Sequence, residues 1–115
     1  MTEAELRTLA LSLPEAAEAP HFEATSFRVK GKIFMTLGEG PGAILKLPPH
    51  IQEAVVQSDA DTVEPVAGYW GRQGWTRIDF GRMEAEMLAD LVGLAWRQVA
   101  PKKLIAQTDR LGGSA

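Results

Sequence analysis

The chain has 115 residues, of which 45% are hydrophobic and 23% charged, a composition typical of one globular domain. The absence of cysteine excludes disulfides and thiolate metal sites, and the net charge of −3 disfavours strong nonspecific binding to nucleic acid. No apolar run approaches the roughly 20 residues of a membrane span, and the acidic start is unlike a secretory signal peptide. We therefore expect a cytoplasmic protein with no membrane partner.

The first helix is predicted from a capping box followed by a leucine stripe. Thr2 and Glu5 have the spacing at which each side chain can accept a hydrogen bond from a free amide of the first turn. Apolar side chains then recur at helical spacing until Pro14 ends the run. The segment 14–24 holds two prolines and three glutamates without any periodicity, so we expect a connecting loop there.

Five strands are predicted from alternating segments. The first two form a hairpin over 25–37 around Gly31, and a turn rich in glycine over 38–42 leads to a third strand over 43–47. A short helix over 50–58 follows two prolines. Pro65 cannot donate a ladder hydrogen bond, so the strand over 62–66 is expected at a sheet edge. The strand over 75–80 should place Thr76 and Ile78 on one face and Trp75 and Arg77 on the other.

Residues 84–99 have helical spacing. Residues 102–110 are interpreted as a further helical turn or two, and the C-terminal tail over 105–115 is expected to fray, above all at 112–114. The order α-β-β-β-α-β-β-α favours a single α+β domain over 1–104, with an antiparallel sheet covered on one face by the first and last helices. The following side chains are expected to be buried: Leu6, Leu9, Leu13, Phe27, Val29, Ile33, Ile78, Phe80, Leu88, Leu91 and Ala95.

Catalytic motifs are missing from the sequence. No serine has the flanking glycines of a hydrolase elbow, and Gly31-Lys32 lacks the Ser or Thr that follows in a phosphate-binding loop. His21 and Glu23 match half of a zinc deaminase motif, but no cysteine completes it. We interpret His21 as a loop residue bonded to backbone, with a ligand or acid-base role as the alternative. We expect no enzymatic activity, no cofactor and no metal site.

Two charged regions admit a functional interpretation. The first is a group of glutamates near the N-terminus, which is either a solvated face or a cation-binding ridge. Its members are Glu3, Glu5, Glu15, Glu18 and Glu23. The second is the stretch 68–77, which holds two of the three tryptophans, the only tyrosine and two arginines. Its glycines and tryptophans either form a loop that caps the core edge, or present indole and guanidinium groups to bases and phosphates.

Several segments together resemble the MmcQ/YjbR family, in order and spacing, over about residues 6–104. They are Leu13-Pro14-Glu15, Pro20-His21, Ser26-Phe27-Arg28-Val29-Lys30-Gly31-Lys32-Ile33-Phe34, Leu45-Lys46-Leu47-Pro48-Pro49, Gly71-Arg72-Gln73-Gly74-Trp75-Thr76-Arg77 and Trp96-Arg97-Gln98-Val99-Ala100-Pro101-Lys102. The resemblance implies a CyaY-like α+β fold and a DNA-binding role like that of double-wing domains. It implies no catalytic residue and no cofactor.

Transferred to this sequence, the resemblance implies a nucleic-acid surface made of basic and aromatic side chains. Its residues are Arg28, Lys30, Lys32, Lys46, Arg72, Trp75 and Arg77. DNA is then the expected partner, through a local patch rather than through net charge. The alternatives are frataxin-like binding of iron, binding of a small ligand, and a protein-interaction module. The sequence does not define an oligomeric state.

Overall fold

The computed structural model describes residues 1–38 and 42–113. Within these ranges the helices are α1 (Glu3–Ser12), α2 (Pro49–Ser58), α3 (Tyr69–Arg72), α4 (Ala85–Val99) and α5 (Lys102–Gly113). The strands are β1 (Ala16–His21), β2 (Ala24–Val29), β3 (Lys32–Leu37), β4 (Gly42–Lys46), β5 (Val63–Pro65) and β6 (Trp75–Asp79). Most of the turn expected over 38–42 lies outside the described residues, as do the last two residues of the tail.

All six of these strands form one antiparallel sheet, in the order β1-β2-β3-β4-β6-β5. The first four are joined as a meander. The chain then passes through α2 to the edge strand β5 and returns as β6, which lies between β4 and β5. The predicted α+β class with an antiparallel sheet is confirmed, and so is the edge position of the strand that contains Pro65.

The predicted capping box begins α1. The Thr2 hydroxyl oxygen accepts a hydrogen bond from the Glu5 amide at 3.1 Å, and a Glu5 carboxylate oxygen accepts one from the Thr2 amide at 2.9 Å. The N-terminal ammonium of Met1 donates to the carbonyl oxygen of Phe80 at 3.1 Å. The two bonds of the capping box satisfy amides that have no partner within the helix. The bond from Met1 connects the start of α1 to the chain just after β6.

One face of the sheet is covered by α1 and α4, as expected. The longer helix α4 packs on β2, β3 and β4, while α1 packs on β1, and both helices contribute to one continuous apolar core. Trp96 of α4 is buried, and its indole nitrogen donates to the carbonyl oxygen of Pro14 at 3.0 Å. The largest fully buried side chains are Trp96, Phe27, Phe34, Leu6, Met35, Leu45, Leu47, Ile78, Leu88, Val29, Val92 and Thr76.

The prediction of a loop over 14–24 is wrong, because residues 16–21 form the edge strand β1. This segment has no apolar alternation to indicate a strand, since both of its faces are largely exposed. It is a strand because it pairs along its whole length with β2, from Ala16 opposite Val29 to His21 opposite Ala24. Pro20 is tolerated because an edge strand leaves half of its backbone groups unpaired.

Ile33 was expected in the core, and this prediction is also wrong. A β-bulge shifts the register between β2 and β3, so that Met35 lies opposite Phe27 but Ile33 lies opposite Arg28. Both Phe34 and Met35 are buried, while Ile33 is only half-buried on the other face of the sheet. Of the remaining expected core residues, Leu9 and Leu13 pack against the core but are only half-buried.

The helical turn or two expected over 102–110 is longer in the structure, where helix α5 continues into the predicted tail up to residue 113. Arg97 of α4 donates to the Asp109 carboxylate at 2.8 Å, so the two consecutive helices are linked by an exposed ion pair. Across both described ranges, every helix is too short or too polar to cross a bilayer.

Candidate functional site

The face of the sheet that α1 and α4 leave uncovered carries several residues predicted as a binding surface. On β6 the predicted alternation is confirmed: Thr76 and Ile78 are fully buried, whereas Trp75 and Arg77 lie on the uncovered face. Strand register places Lys46 of β4 opposite Trp75, and Ile44 opposite Arg77. Neighbouring side chains on this face therefore come from strands that are far apart in the sequence.

A shallow depression of about 350 Å³ lies in this uncovered face. Its lining is mostly apolar and comes from four strands and from the segment before β6. The lining residues are His21, Ile33, Thr36, Ile44, Val66, Trp70 and Trp75. All of them are half-buried except Trp70, which is 59% exposed. An exposed indole beside a half-buried one gives the depression aromatic surface that is open to solvent.

Lys46 and Trp75 form a cross-strand pair at one side of the depression. The Lys46 ammonium lies over the Trp75 indole, 6.0 Å from the ring centroid. This distance is at the limit of a cation–π interaction, which favours the positive charge over the ring face. The indole therefore holds the Lys46 ammonium beside it, and the positive charge of Lys46 is not neutralised.

Arg28 approaches the same face from β2 and is held by two neighbouring groups. Its Nε donates to the Ser26 hydroxyl at 2.8 Å, and its Nη2 donates to the Pro20 carbonyl oxygen at 3.2 Å. The Ser26 hydroxyl in turn donates to the Ala19 carbonyl oxygen at 2.8 Å. These bonds fix the guanidinium across the first two strands, beside Ile33, and leave it a positive charge with no carboxylate in the network.

Arg77 is the third cation on this face, and it has an acidic neighbour. Glu64 lies opposite it on the edge strand β5, and a carboxylate oxygen is 3.8 Å from Arg77 Nε. Both side chains are exposed, so this ion pair is weak. Glu64 therefore lowers the positive potential at Arg77 without removing its capacity to bind an anion.

The two lysines of the hairpin lie away from this group, whereas Arg72 belongs to α3, the short helix that also carries Trp70. Lys30 occupies the turn between β2 and β3 and pairs with Glu15 at 3.2 Å. Lys32 lies opposite the buried Val29, which places it on the helix-covered face, at an exposed end of the sheet. Arg72 is the exposed last residue of α3. The structure thus brings together Arg28, Lys46, Trp75 and Arg77, and separates the lysines of the hairpin turn from them.

The segment 66–75, which carries both indoles, is held in place by two glycines. A Cβ atom at Gly71 would lie 1.9 Å from the Val66 carbonyl oxygen, and one at Gly74 would lie 2.0 Å from the Leu47 carbonyl oxygen. Gly74 also has a φ of +102°, which L side chains rarely adopt. The backbone can therefore fold tightly against Leu47 and Val66 only with glycine at both positions.

Most of the depression was missed by sequence analysis. The sequence places His21 in a loop and Ile33 in the core, and it singles out Trp70 only as part of the aromatic stretch 68–77. Ile44 and Thr36 lie in the apolar runs of β4 and β3, whose sequences do not alternate. No local pattern therefore assigns them to the uncovered face or shows which strands are neighbours.

Three of the five N-terminal glutamates, Glu5, Glu15 and Glu18, have individual partners. Glu18 accepts hydrogen bonds from Arg7 and Thr25, and the Arg7 guanidinium is the main reason that the pKa of Glu18 lies below its ordinary value of 4.5. The amide of Thr2 likewise lowers the pKa of Glu5. In the described part of the chain, no group of three or more histidine, aspartate or glutamate side chains is arranged to hold a metal ion.

Comparison with known proteins identifies the family. A sequence model of the YjbR family matches residues 11–98, so the chain belongs to the YjbR family, and the resemblance seen in its sequence is confirmed. The fold is similar to the crystal structure of Deinococcus radiodurans protein DR2400, which is described as a DUF419 domain. That likeness has a TM-score of 0.77 at 23% identity and covers 89% of this chain and 80% of the other. No curated protein matches this chain.

Proposed function

We propose that the uncovered face of the sheet binds nucleic acid, weakly and without chemical turnover. The observation that supports this most directly is the strand register, which sets three cations directly opposite residues that line one apolar depression: Arg28, Lys46 and Arg77. Guanidinium and ammonium groups bind phosphate oxygens, and indole rings stack on unpaired bases. In this proposal the sheet serves as the strand surface that double-wing domains of CyaY-like fold present to DNA, as the family resemblance implies.

The overall charge limits how strong this binding can be. The chain has a net charge of −3, so attraction to a polyanion comes only from the local cations on this face. Three such cations neutralise few phosphates, so the affinity is low, and it falls with salt with a slope of about 0.7–0.9 per phosphate contact. We therefore expect binding that is measurable at low ionic strength and largely lost at physiological ionic strength.

The proposal is tested by measuring the affinity for labelled single-stranded and duplex oligonucleotides by fluorescence polarisation. Two variants, one for each partner of the Arg77–Glu64 ion pair, test whether this face is the binding surface. Arg77→Gln removes a phosphate ligand and should weaken binding. Glu64→Gln removes the carboxylate that lies 3.8 Å from Arg77 and should strengthen binding. Lys103→Gln is the matched control, because Lys103 is an exposed cation on α5, outside the sheet.

Opposite effects at residues 64 and 77, with no more than a small effect at residue 103, would support the uncovered face as the binding surface. Equal losses for Arg77→Gln and Lys103→Gln would indicate general charge attraction and contradict it. A complete lack of binding at low salt would remove the proposal altogether.

The absence of turnover is a separate part of the proposal. The candidate nucleophiles lack an activating partner in the sequence, and the depression offers one histidine and one threonine as its polar side chains. Screening with esterase, phosphatase and nuclease substrates should therefore show no activity above background. A turnover that His21→Ala abolishes would contradict this proposal.

A further inference from the structure

The depression itself has a size and a lining that suit one planar ring. Its volume of about 350 Å³ is near the lower end of the roughly 300–1,000 Å³ found for small-molecule sites. Ile33, Ile44 and Val66 supply apolar surface, and Trp70 and Trp75 supply aromatic surface. A flat, largely apolar group can therefore be desolvated there.

Two of the lining residues are polar, so a ligand that fills the depression must offer them hydrogen-bond partners. His21 and Thr36 lie on different strands and both line the depression. An alkyl chain would cover these groups without offering them a hydrogen-bond partner, which is costly. The edge of a heterocyclic base carries both donors and acceptors, so it can satisfy an imidazole and a hydroxyl while its faces contact the apolar residues.

The charges around the depression indicate that the ring is attached to an anion. Lys46 is adjacent to Trp75, Arg28 lies opposite Ile33, and Arg77 lies opposite Ile44. A cation therefore lies opposite each of three lining residues. The combination of a planar apolar site and surrounding cations is complementary to a base joined through a sugar to phosphate.

We propose that this depression binds one unstacked nucleobase together with its phosphate. The inference extends the proposed function, because it assigns a subsite within the same face and gives the reason for a preference. A duplex keeps its base faces stacked, so only single strands and free mononucleotides can place a base in the depression. The protein should then prefer single strands to duplex, and adenosine monophosphate should compete with a strand.

The first test uses the unmodified protein and two small probes. Adenosine monophosphate and ribose 5-phosphate carry the same phosphate, but only the first has a base. Titration followed by tryptophan fluorescence should show that the nucleotide binds about tenfold or more tightly than the sugar phosphate, since stacking on one aromatic side chain is typically worth that much. Equal affinity for the two probes would overturn the subsite.

The second test fills the depression. Thr36→Phe places a ring in the lining without removing a cation, and it should abolish nucleotide binding and reduce single-strand affinity to that of duplex. Thr8→Phe is the matched control, because Thr8 is exposed on α1, which packs on the other face of the sheet. Circular dichroism establishes that both variants are folded.

The outcomes separate this inference from the proposed function. Oligonucleotide binding that responds to Arg77→Gln, but not to Thr36→Phe or to competing nucleotide, would overturn the subsite and leave the binding face intact. Nucleotide binding that Thr36→Phe abolishes, without any binding of oligonucleotides, would support the subsite and contradict the proposed function.

Discussion

The side-chain amide of Gln52 donates to the carbonyl oxygen of Gly71 at 2.9 Å. The same nitrogen lies 3.0 Å from the Thr76 hydroxyl and 3.3 Å from the Trp75 carbonyl oxygen. Helix α2 thus holds the short helix α3 against the start of β6 through one polar side chain. Because Trp70 belongs to α3 and Trp75 to β6, Gln52 positions both indoles of the depression.

Gln52→Leu should destabilise the fold and loosen the tryptophan segment. The substitution keeps a helix-forming side chain of similar size but removes the hydrogen bonds to Gly71 and Thr76. Loss of a partner for buried polar groups costs about 1–3 kcal/mol. Urea unfolding followed by tryptophan fluorescence should show that loss, together with a changed emission of the native state.

Gln57→Leu is the control for this prediction, since Gln57 is exposed on the same helix. The assignment of Gln52 as a positioning residue fails if both variants unfold at the same urea concentration as the unmodified protein.

Leu91→Ala should be among the most damaging truncations in α4. Leu91 is 3% exposed, and its loss removes apolar burial and leaves a cavity, at a cost of about 2–5 kcal/mol. Leu11→Ala provides the comparison, because Leu11 on α1 is 40% exposed and its truncation should have little effect. Thermal melts of the two variants measure the difference, and similar midpoints would contradict the placement of Leu91 in the core.

Phe22→Gly should stabilise the protein. Phe22 lies in the turn between β1 and β2 with a φ of 56°, and its side chain is 93% exposed. A left-handed backbone at a residue other than glycine is strained by about 1–3 kcal/mol, and glycine relieves that strain. The Phe22 ring meets the His21 ring edge to face, with 4.8 Å between the centroids, and loss of this contact offsets part of the gain.

Glu23→Gly tests whether that gain comes from the backbone of Phe22. Glu23 belongs to the same turn, but its φ is not positive. Glycine at this position relieves no strain and only makes the unfolded chain more flexible, so Glu23→Gly should lower the stability. Chemical unfolding should move the two midpoints in opposite directions. A loss of stability in Phe22→Gly would show that the exposed ring makes contacts that outweigh the strain.

The ion pair between Arg7 and Glu18 should make stability depend on pH in the acidic range. The pKa of Glu18 is lowered mainly by the hydrogen bond from Arg7, and this bond joins α1 to β1. A carboxyl whose folded pKa lies below its unfolded value stabilises the fold fully above the unfolded value, near 4.5. That contribution is lost as the pH falls through the folded pKa.

Glu18→Gln should therefore be less stable than the unmodified protein at neutral pH, and the difference should shrink below pH 4.5. Urea midpoints measured from neutral to acidic pH test this. A difference that stays constant over the whole range would show that the charge of Glu18 contributes nothing.

Arg72 and Trp75 should affect nucleic-acid binding in different ways. If Arg72 contacts a phosphate, Arg72→Ala weakens all sequences alike and reduces the salt slope by about one unit. Trp75→Ala removes a stacking surface, so it should cost about 1–3 kcal/mol with little change in slope, and single strands should lose more than duplex. Titrations at several salt concentrations separate the two effects, and an unchanged slope for Arg72→Ala would place Arg72 outside the binding surface.

The sequence predicts those parts of the fold that depend on local patterns. The capping box at Thr2, the hairpin around Gly31 and the two faces of β6 follow from short spacings, and the structure confirms each of them. Strand β1 does not follow from such a pattern, because its partner β2 and not its own composition makes it a strand. The bulge that turns Ile33 away from the core likewise depends on the match between two strands.

Only individual residues of the candidate site could be predicted from the sequence, because the site also depends on which strands pair. Charge and aromatic content single out Lys46, Trp75 and Arg77, yet the contact between β4 and β6 arises because the chain crosses through α2 and β5 before it returns. The depression depends on the contact between β4 and β6, and it also includes His21 of β1, a strand that the sequence does not predict. Residue types identify candidate ligands, but the order of the strands decides which of them meet.

The position of β6 between β4 and β5 also has a consequence for a chain emerging from the ribosome. The meander from β1 to β4 is complete once residue 46 has been synthesised, but the partner that covers the outer edge of β4 begins only at Trp75. Until then β4 exposes a row of free backbone donors and acceptors, which can pair with another nascent chain. Nascent chains stalled before Trp75 should therefore associate with one another, whereas chains that include β6 and α4 should remain monodisperse.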